Sequence, residues 1–113
     1  MIVATPVTAE ERSAPAWGRA RWIALADVAD GSISSWRVVE VGWDESHDGG
    51  SHGSHHARVV RFLRDESVAA VVVDHVGEGM QRMLATMGIP VLRATAGAAR
   101  ASVLAAVSAV TPG

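Results

Sequence analysis

The sequence predicts one α/β domain in which helices pack on a mixed β-sheet. Two observations predict this class. An Asp-Gly pair at 30–31 separates two strand-like runs, which is typical of a β-hairpin. Beyond the hairpin, apolar runs of strand length alternate with segments of helical periodicity, which is typical of helices packed on a sheet. The predicted order is βββαβαβα, in a single domain spanning residues 1–113.

The first half of the chain predicts three strands. "IVATPV" (2–7) is short, apolar and rich in β-branched residues, so we expect a strand there. Residues 8–20 predict an irregular loop. Two strands at 21–28 and 33–43 flank the hairpin turn, and a histidine-rich loop follows at 44–55.

The second half alternates helix and strand. Residues 55–66 show helical periodicity, with Val59, Val60 and Leu63 on one face. The run 68–76 is continuously apolar, as in a central strand covered on both faces. A strand is predicted at 89–94.

Two further helices are predicted, at 77–88 and 96–110. The first ends at a glycine with a proline just beyond, which is typical of a helix end. The residues expected in the core are Met80, Met83, Leu84 and Met87 from the first helix, and Val103, Leu104, Val107 and Val110 from the second.

Composition limits the chemistry. The chain is 49% apolar and 19% charged, which favours a globular protein. It has no cysteine, so disulfides, thiolate metal sites and cysteine nucleophiles are excluded. The first residues lack a signal-peptide pattern, and no apolar run approaches the roughly 20 residues of a membrane span. We therefore expect a cytoplasmic protein without membrane association.

The charged residues argue against nucleic-acid binding and favour anionic ligands of other kinds. The formal net charge is −2, whereas nucleic-acid-binding domains are usually basic. All ten basic residues are arginine, whose forked guanidinium suits oxyanions.

The segment "SHDGGSHGSHHAR" (46–58) contains four of the five histidines. Neutral imidazole is a good ligand for zinc, copper, nickel and iron. The candidate metal ligands are His47, His52, His55 and His56, of which the last two are the best placed. The alternatives are adventitious metal binding and no role.

Two other motifs suggest an anion site. In "DHVGEGM" (74–80), Gly77 and Gly79 would let backbone N–H groups at a helix start approach an anion, with His75 beside them. The alternative is a tight turn entering a helix, with His75 buried and hydrogen-bonded.

In "WGRARW" (17–22), Arg19 and Arg21 would bond an anion, while Gly18 allows its close approach. Trp17 would shield this anion from water. The alternative is a surface loop whose tryptophans pack on the sheet.

Two of these segments resemble a known family. "WGRA" (17–20) is similar to the Phe-Gly-Arg-Ala motif of the dinitrogenase iron–molybdenum cofactor biosynthesis family, which includes NifX-like and NafY-like proteins and the C-terminal domain of NifB. "VGEGMQRMLATMGIPV" (76–91) is similar to that family's Gly-Ile-Gly segment, amphipathic helix and following strand. Trp17 stands where phenylalanine is usual, and Asp74 and His75 stand where glycines are common.

The resemblance implies a ribonuclease-H-like fold with a five-stranded mixed sheet and flanking helices. It further implies a non-enzymatic carrier of an anionic metal–sulfur cluster containing molybdenum, iron or copper, related to nitrogen fixation. Cluster-assembly or acceptor proteins are the expected partners, and the chain is expected to be a monomer or homodimer. The cluster-binding candidates are Trp17, Gly18, Arg19, His75, Gly77 and Gly79.

Two other functions stay open. One is a divalent-metal protein that binds zinc, nickel or copper through the loop at 47–56. The other is a ribonuclease-H-like enzyme, which needs clustered carboxylates holding magnesium. The available carboxylates are Asp27, Asp30, Glu40 and Asp74, but Asp30 falls in the hairpin turn and Glu40 is expected to face solvent.

Overall fold

A computed structural model describes residues 1–45 and 52–110, with side chains described from residue 55 in the second range. The predicted order of elements is confirmed. The elements are β1 (Ile2–Val7), β2 (Trp22–Ala29), β3 (Ser32–Glu40), α1 (His52–Asp65), β4 (Val68–Val73), α2 (Glu78–Thr86), β5 (Val91–Arg93) and α3 (Ala99–Val110).

The sheet is mixed and five-stranded, as predicted. Its strand order is β3-β2-β1-β4-β5. β1 pairs antiparallel with β2 and parallel with β4, while β5 extends the parallel half. The carboxyl ends of β1, β4 and β5 therefore lie at the same edge of the sheet.

The hairpin between β2 and β3 forms at the predicted Asp-Gly pair. Asp30 and Gly31 have φ values of 53° and 77°. Positive φ at both central residues matches the strand twist in a two-residue turn. β3 ends at Glu40 rather than at 43, because Gly42 adopts a φ of 64° and residues 43–45 are helical.

The helices cover the two faces of the sheet. Ile23, Leu25 and Val71 point to the face that also buries Val59 and Leu84, which belong to α1 and α2. The alternate strand residues, among them Val3, Ala26 and Val72, share the second cluster with side chains of α3. Because both faces are covered, the central strands are apolar in continuous runs.

The pairing of β1 with β4 stops where β1 reaches a proline. The paired residues end at Ala4 opposite Val71. Pro6 has no N–H to offer a sheet. The buried Thr5 hydroxyl instead donates to the Val72 carbonyl oxygen at 2.7 Å.

The predicted core is confirmed for α2 and is wrong at the end of α3. Met80 and Leu84 are buried, and Met83 and Met87 pack against them. Val110 is 58% exposed and Leu104 is only half-buried. Val110 lies on the same side of α3 as Val103, so its exposure means that no described residue covers the last turn of this helix. The buried residues of α3 are Ala99, Ser102, Val103, Ala106 and Val107. None of the described helices is long and apolar enough to cross a membrane.

The α3 correction can be tested with one substitution at two positions. Val103→Ala should lower the free energy of unfolding by about 2 kcal/mol, because Val103 is fully buried. Val110→Ala should change it by less than about 0.5 kcal/mol. Urea unfolding followed by circular dichroism measures both, and equal losses would contradict the observed packing.

Candidate functional site

The site lies beyond the carboxyl ends of β1 and β4, where α/β proteins usually bind ligands. After β1, residues 8–15 form a loop, and the chain then returns to the edge of the sheet. Ala16 then forms a parallel bridge with His75, just after β4. The Trp17 N–H donates to the His75 carbonyl oxygen at 3.3 Å. This contact places the tryptophan–glycine–arginine segment beside the glycine turn.

Both segments line a cleft of about 350 Å³ together with the start of α1. Six predicted cluster-binding residues and two of the predicted metal ligands meet there. The lining residues are Ala16, Trp17, Gly18, Arg19, His55, His56, His75, Gly77, Glu78, Gly79 and Met80. His75 is exposed, so the alternative of a buried His75 is wrong.

His55 enters the cleft from α1 and faces Gly18. It is 5% exposed, and a Cβ built on Gly18 would lie 3.6 Å from its Nε2 atom. The ring of Trp43 packs edge-on against His55, with centroids 6.3 Å apart. Trp43 does not line the cleft, but its contact limits the orientations of a histidine that does.

His56 faces the other wall. A Cβ on Gly79 would lie 3.3 Å from its Cε1 atom, which is tighter than most real contacts. At Gly77 the same Cβ would meet nothing within 4 Å. Gly79 is therefore the glycine whose missing side chain makes room for an imidazole, whereas Gly77 leaves open space.

The start of α2 carries uncapped donors at the cleft. Gly77 is the N-cap residue, and no side chain of residues 1–45 or 55–110 caps the helix. The first N–H groups of a helix have no partner within it, and the helix dipole favours negative charge there. Glu78 lies in this turn but is exposed and pairs with Arg82 at 3.3 Å.

Trp17 forms part of the cleft wall and part of the core. It is fully buried and packs edge-on against Trp43, with centroids 5.2 Å apart. Its indole Nε1 has no hydrogen-bond acceptor among the described residues. A buried N–H without an acceptor costs about 1–3 kcal/mol. The predicted packing of this tryptophan is thus observed together with its position at the cleft.

Arg21 does not reach the cleft, contrary to the expectation that it would bond an anion there. Its guanidinium lies 3.0 Å from Glu40 and within 3.7 Å of Asp44 and Glu45, and it stacks over Trp22. These three carboxylates and the Trp22 ring compete with the cleft for the Arg21 side chain, and the sequence alone does not show which of them it contacts. Arg19 lines the cleft.

The four-histidine metal site stays a prediction. His47 and the side chain of His52 fall outside the described residues. In the described part of the chain, no three His, Asp or Glu side chains are placed to hold one metal ion.

The carboxylates needed for the enzyme alternative are dispersed. Asp27 lies 3.2 Å from the N-terminal amine, and Glu40 pairs with Arg21. Asp30 occupies the hairpin turn, and Asp74 lies 4.0 Å from Arg93. These partners leave no shared magnesium site among the four.

The chain matches a protein family over almost its whole length. The family model, described as dinitrogenase iron-molybdenum cofactor, matches residues 1–110. No curated protein matches the sequence.

Solved structures share the fold at low sequence identity. The apo form of the orange protein from Desulfovibrio gigas is 19% identical with a TM-score of 0.76, over 98% of this chain and 90% of that one. A proposed NifB protein from Thermotoga is 20% identical with a TM-score of 0.71, over 96% and 88%. A proposed dinitrogenase from Methanocaldococcus jannaschii is 15% identical with a TM-score of 0.62, over 86% and 78%.

The contact between Gly79 and His56 can be tested with a matched pair of glycines. Gly79→Ala should shift the imidazole resonances of His56, because the new methyl group would crowd Cε1. Gly77→Ala should leave them nearly unchanged, since its Cβ meets open space.

Histidine-selective NMR measures this difference. Unfolding of Gly79→Ala should stay within about 1 kcal/mol of the parent, because alanine favours the helix. Equal shifts in both variants would contradict the described position of His56.

Proposed function

Because this chain belongs to the dinitrogenase iron–molybdenum cofactor family, we propose that it is a non-enzymatic carrier of an anionic metal–sulfur cluster, held in the cleft beyond β1 and β4. The observation that supports this most is the meeting of two imidazoles with an uncapped helix start across that cleft. The cluster is cargo, containing molybdenum, iron or copper, and is delivered to or from assembly and acceptor proteins.

The cleft offers donors for an anion on more than one wall. The cleft lining includes the start of α2, whose first N–H groups have partial positive charge, and Arg19, whose guanidinium is positively charged. Trp17 also lines the cleft, and its buried Nε1 has no acceptor among the described residues. Sulfide and oxo edges of a cluster accept hydrogen bonds from such groups.

The imidazoles supply the groups that would bind metal directly. His55 and His56 enter from one helix and face Gly18 and Gly79 on the two other segments. Neutral imidazole binds copper and iron well. A preassembled cluster also brings its own sulfide, so a chain without cysteine fits this cargo.

Because Gly18 and Gly79 have no side chains, the two walls leave space in the cleft for the imidazoles of His55 and His56. A side chain at either position would project toward an imidazole rather than into solvent. The cleft therefore presents two imidazoles and the backbone of the glycine turn beside the apolar side chains of Ala16, Trp17 and Met80. Its volume of about 350 Å³ leaves room for a compact inorganic cluster.

The proposal is tested by analysing what the protein carries. Untagged protein purified anaerobically from its own host should contain nearly stoichiometric molybdenum, iron or copper, with acid-labile sulfide and visible absorption. Zinc or nickel without sulfide would contradict cluster carriage and favour metal binding through the loop at 47–56.

The role of the two imidazoles can be tested with tetrathiomolybdate, a simple anion of molybdenum and sulfide. The double variant His55→Ala/His56→Ala should weaken its binding at least about tenfold, since groups at a metal site usually contribute that much. Anaerobic titration followed by visible absorption measures the affinity.

Leu63→Ala serves as the stability control. Leu63 is a buried residue of α1 outside the cleft lining, so its loss should destabilise the protein without weakening binding. Unchanged affinity in the double variant would contradict the assignment of the site.

A further inference from the structure

The outer face of α1 carries three arginines whose arrangement the fold does not explain. Arg58, Arg61 and Arg64 are exposed and follow one another at three-residue intervals. Within residues 1–45 and 55–110, none of their guanidinium groups forms an ion pair or hydrogen bond. We call these three residues the arginine stripe.

Most other arginines are placed differently. Arg21, Arg37, Arg82 and Arg93 lie within ion-pair distance of carboxylates. Arg100 instead stacks over Trp36 at 5.0 Å. Within the described residues, the side chain of Arg12 also has no carboxylate partner, so the stripe differs from most but not all of the other arginines in this chain of net charge −2.

The arginine stripe contributes little to the stability of α1. Like charges three residues apart on a helix face repel one another. Arg64 in the last turn is favoured by the helix dipole, but Arg58 is not, since it lies far from that end. Asp65 is exposed four residues after Arg61, but it is not within ion-pair distance of a stripe guanidinium. Exposed guanidinium groups that outnumber the carboxylates around them are suited to an external negative surface.

The stripe lies next to the cleft. His55 and His56, which line the cleft, precede Arg58 by only two or three residues on the same helix. At about 1.5 Å rise per residue, the first guanidinium is attached within one helical turn of the cleft wall. Any macromolecule bound along the stripe therefore approaches the position of the cargo.

We propose that the arginine stripe of α1 is the docking surface for an acidic patch on the protein that delivers or receives the cargo. The identity of the partner rests on the proposed carrier function. Binding of an acidic partner to the stripe can be tested independently of that function. Arginine is enriched in protein–protein interfaces, where complementary charge raises the association rate.

The size and surroundings of the stripe favour a protein over other polyanions. Nucleic-acid-binding domains are usually strongly basic, whereas this chain has a pI of about 6.2. Recognition of anionic membranes usually takes clusters of roughly four to eight basic residues. Three arginines on one face match a short acidic helix or loop.

The test uses a synthetic helical peptide with glutamates three and four residues apart, labelled for fluorescence anisotropy. A peptide with glutamine at those positions is the control. The parent protein should bind the acidic peptide at low ionic strength and more weakly at higher salt. The variant Arg58→Gln/Arg61→Gln/Arg64→Gln should lose about tenfold in affinity, because the three matched charges are removed.

A charge-matched variant separates a local surface from general attraction. Arg12→Gln/Arg93→Gln/Arg100→Gln removes three exposed arginines outside α1 and should retain most of the peptide affinity. Equal losses in both variants, or no binding by the parent, would overturn the proposal. Tighter, stripe-dependent binding to an oligonucleotide or to phosphatidylserine vesicles would overturn it in favour of another partner class.

Binding of tetrathiomolybdate to the same variants distinguishes the two proposals. The stripe variant should bind this anion like the parent, because no stripe residue lines the cleft. Loss of peptide binding with normal anion binding supports a docking surface separate from the cargo site. Failure of the parent to bind the anion would contradict the carrier function but would leave the peptide result intact.

Discussion

The site depends on one backbone contact beyond the end of the sheet. Pro6 cannot continue the pairing of β1 with β4, and the chain makes an excursion before Ala16 bridges to His75. This bridge resumes the parallel arrangement with a different segment of chain. Together with the burial of Trp17, it fixes this segment beside the glycine turn. The cleft is therefore built on an interruption of regular structure.

Aromatic packing around Trp43 also positions residues of the cleft. Its ring packs against three others, with centroid distances of 5.2 Å to Trp17, 6.3 Å to His55 and 5.5 Å to Phe62. These contacts join the segment after β1 to the first turns of α1. The same apolar cluster that stabilises the fold thus limits the orientation of a cleft imidazole. Trp17 belongs to the apolar cluster and also lines the cleft. Its indole N–H has no acceptor among the described residues, a cost in free energy that packing alone does not explain.

The sequence predicted most of the fold because local signals agreed with one another. The Asp-Gly turn, the continuous apolar run of β4 and the methionine spacing of α2 each depend on near neighbours. The prediction that Val110 is buried was wrong, because the exposure of a residue at a helix end depends on how far the sheet extends beneath it. Helical periodicity carries no information about that extent. The cleft residues were found through motifs, yet the support of His55 by Trp43 joins positions twelve residues apart and has no sequence signal.

The contact between Trp43 and His55 also bears on how such a protein can diverge. It joins the helical residues 43–45 to the first turn of α1, and Arg21 pairs with Asp44 and Glu45 beside that tryptophan. A change at residue 43 therefore acts on the cleft through His55, although residue 43 is not part of the lining. Divergence at this tryptophan would alter the ligand site while leaving every lining residue unchanged.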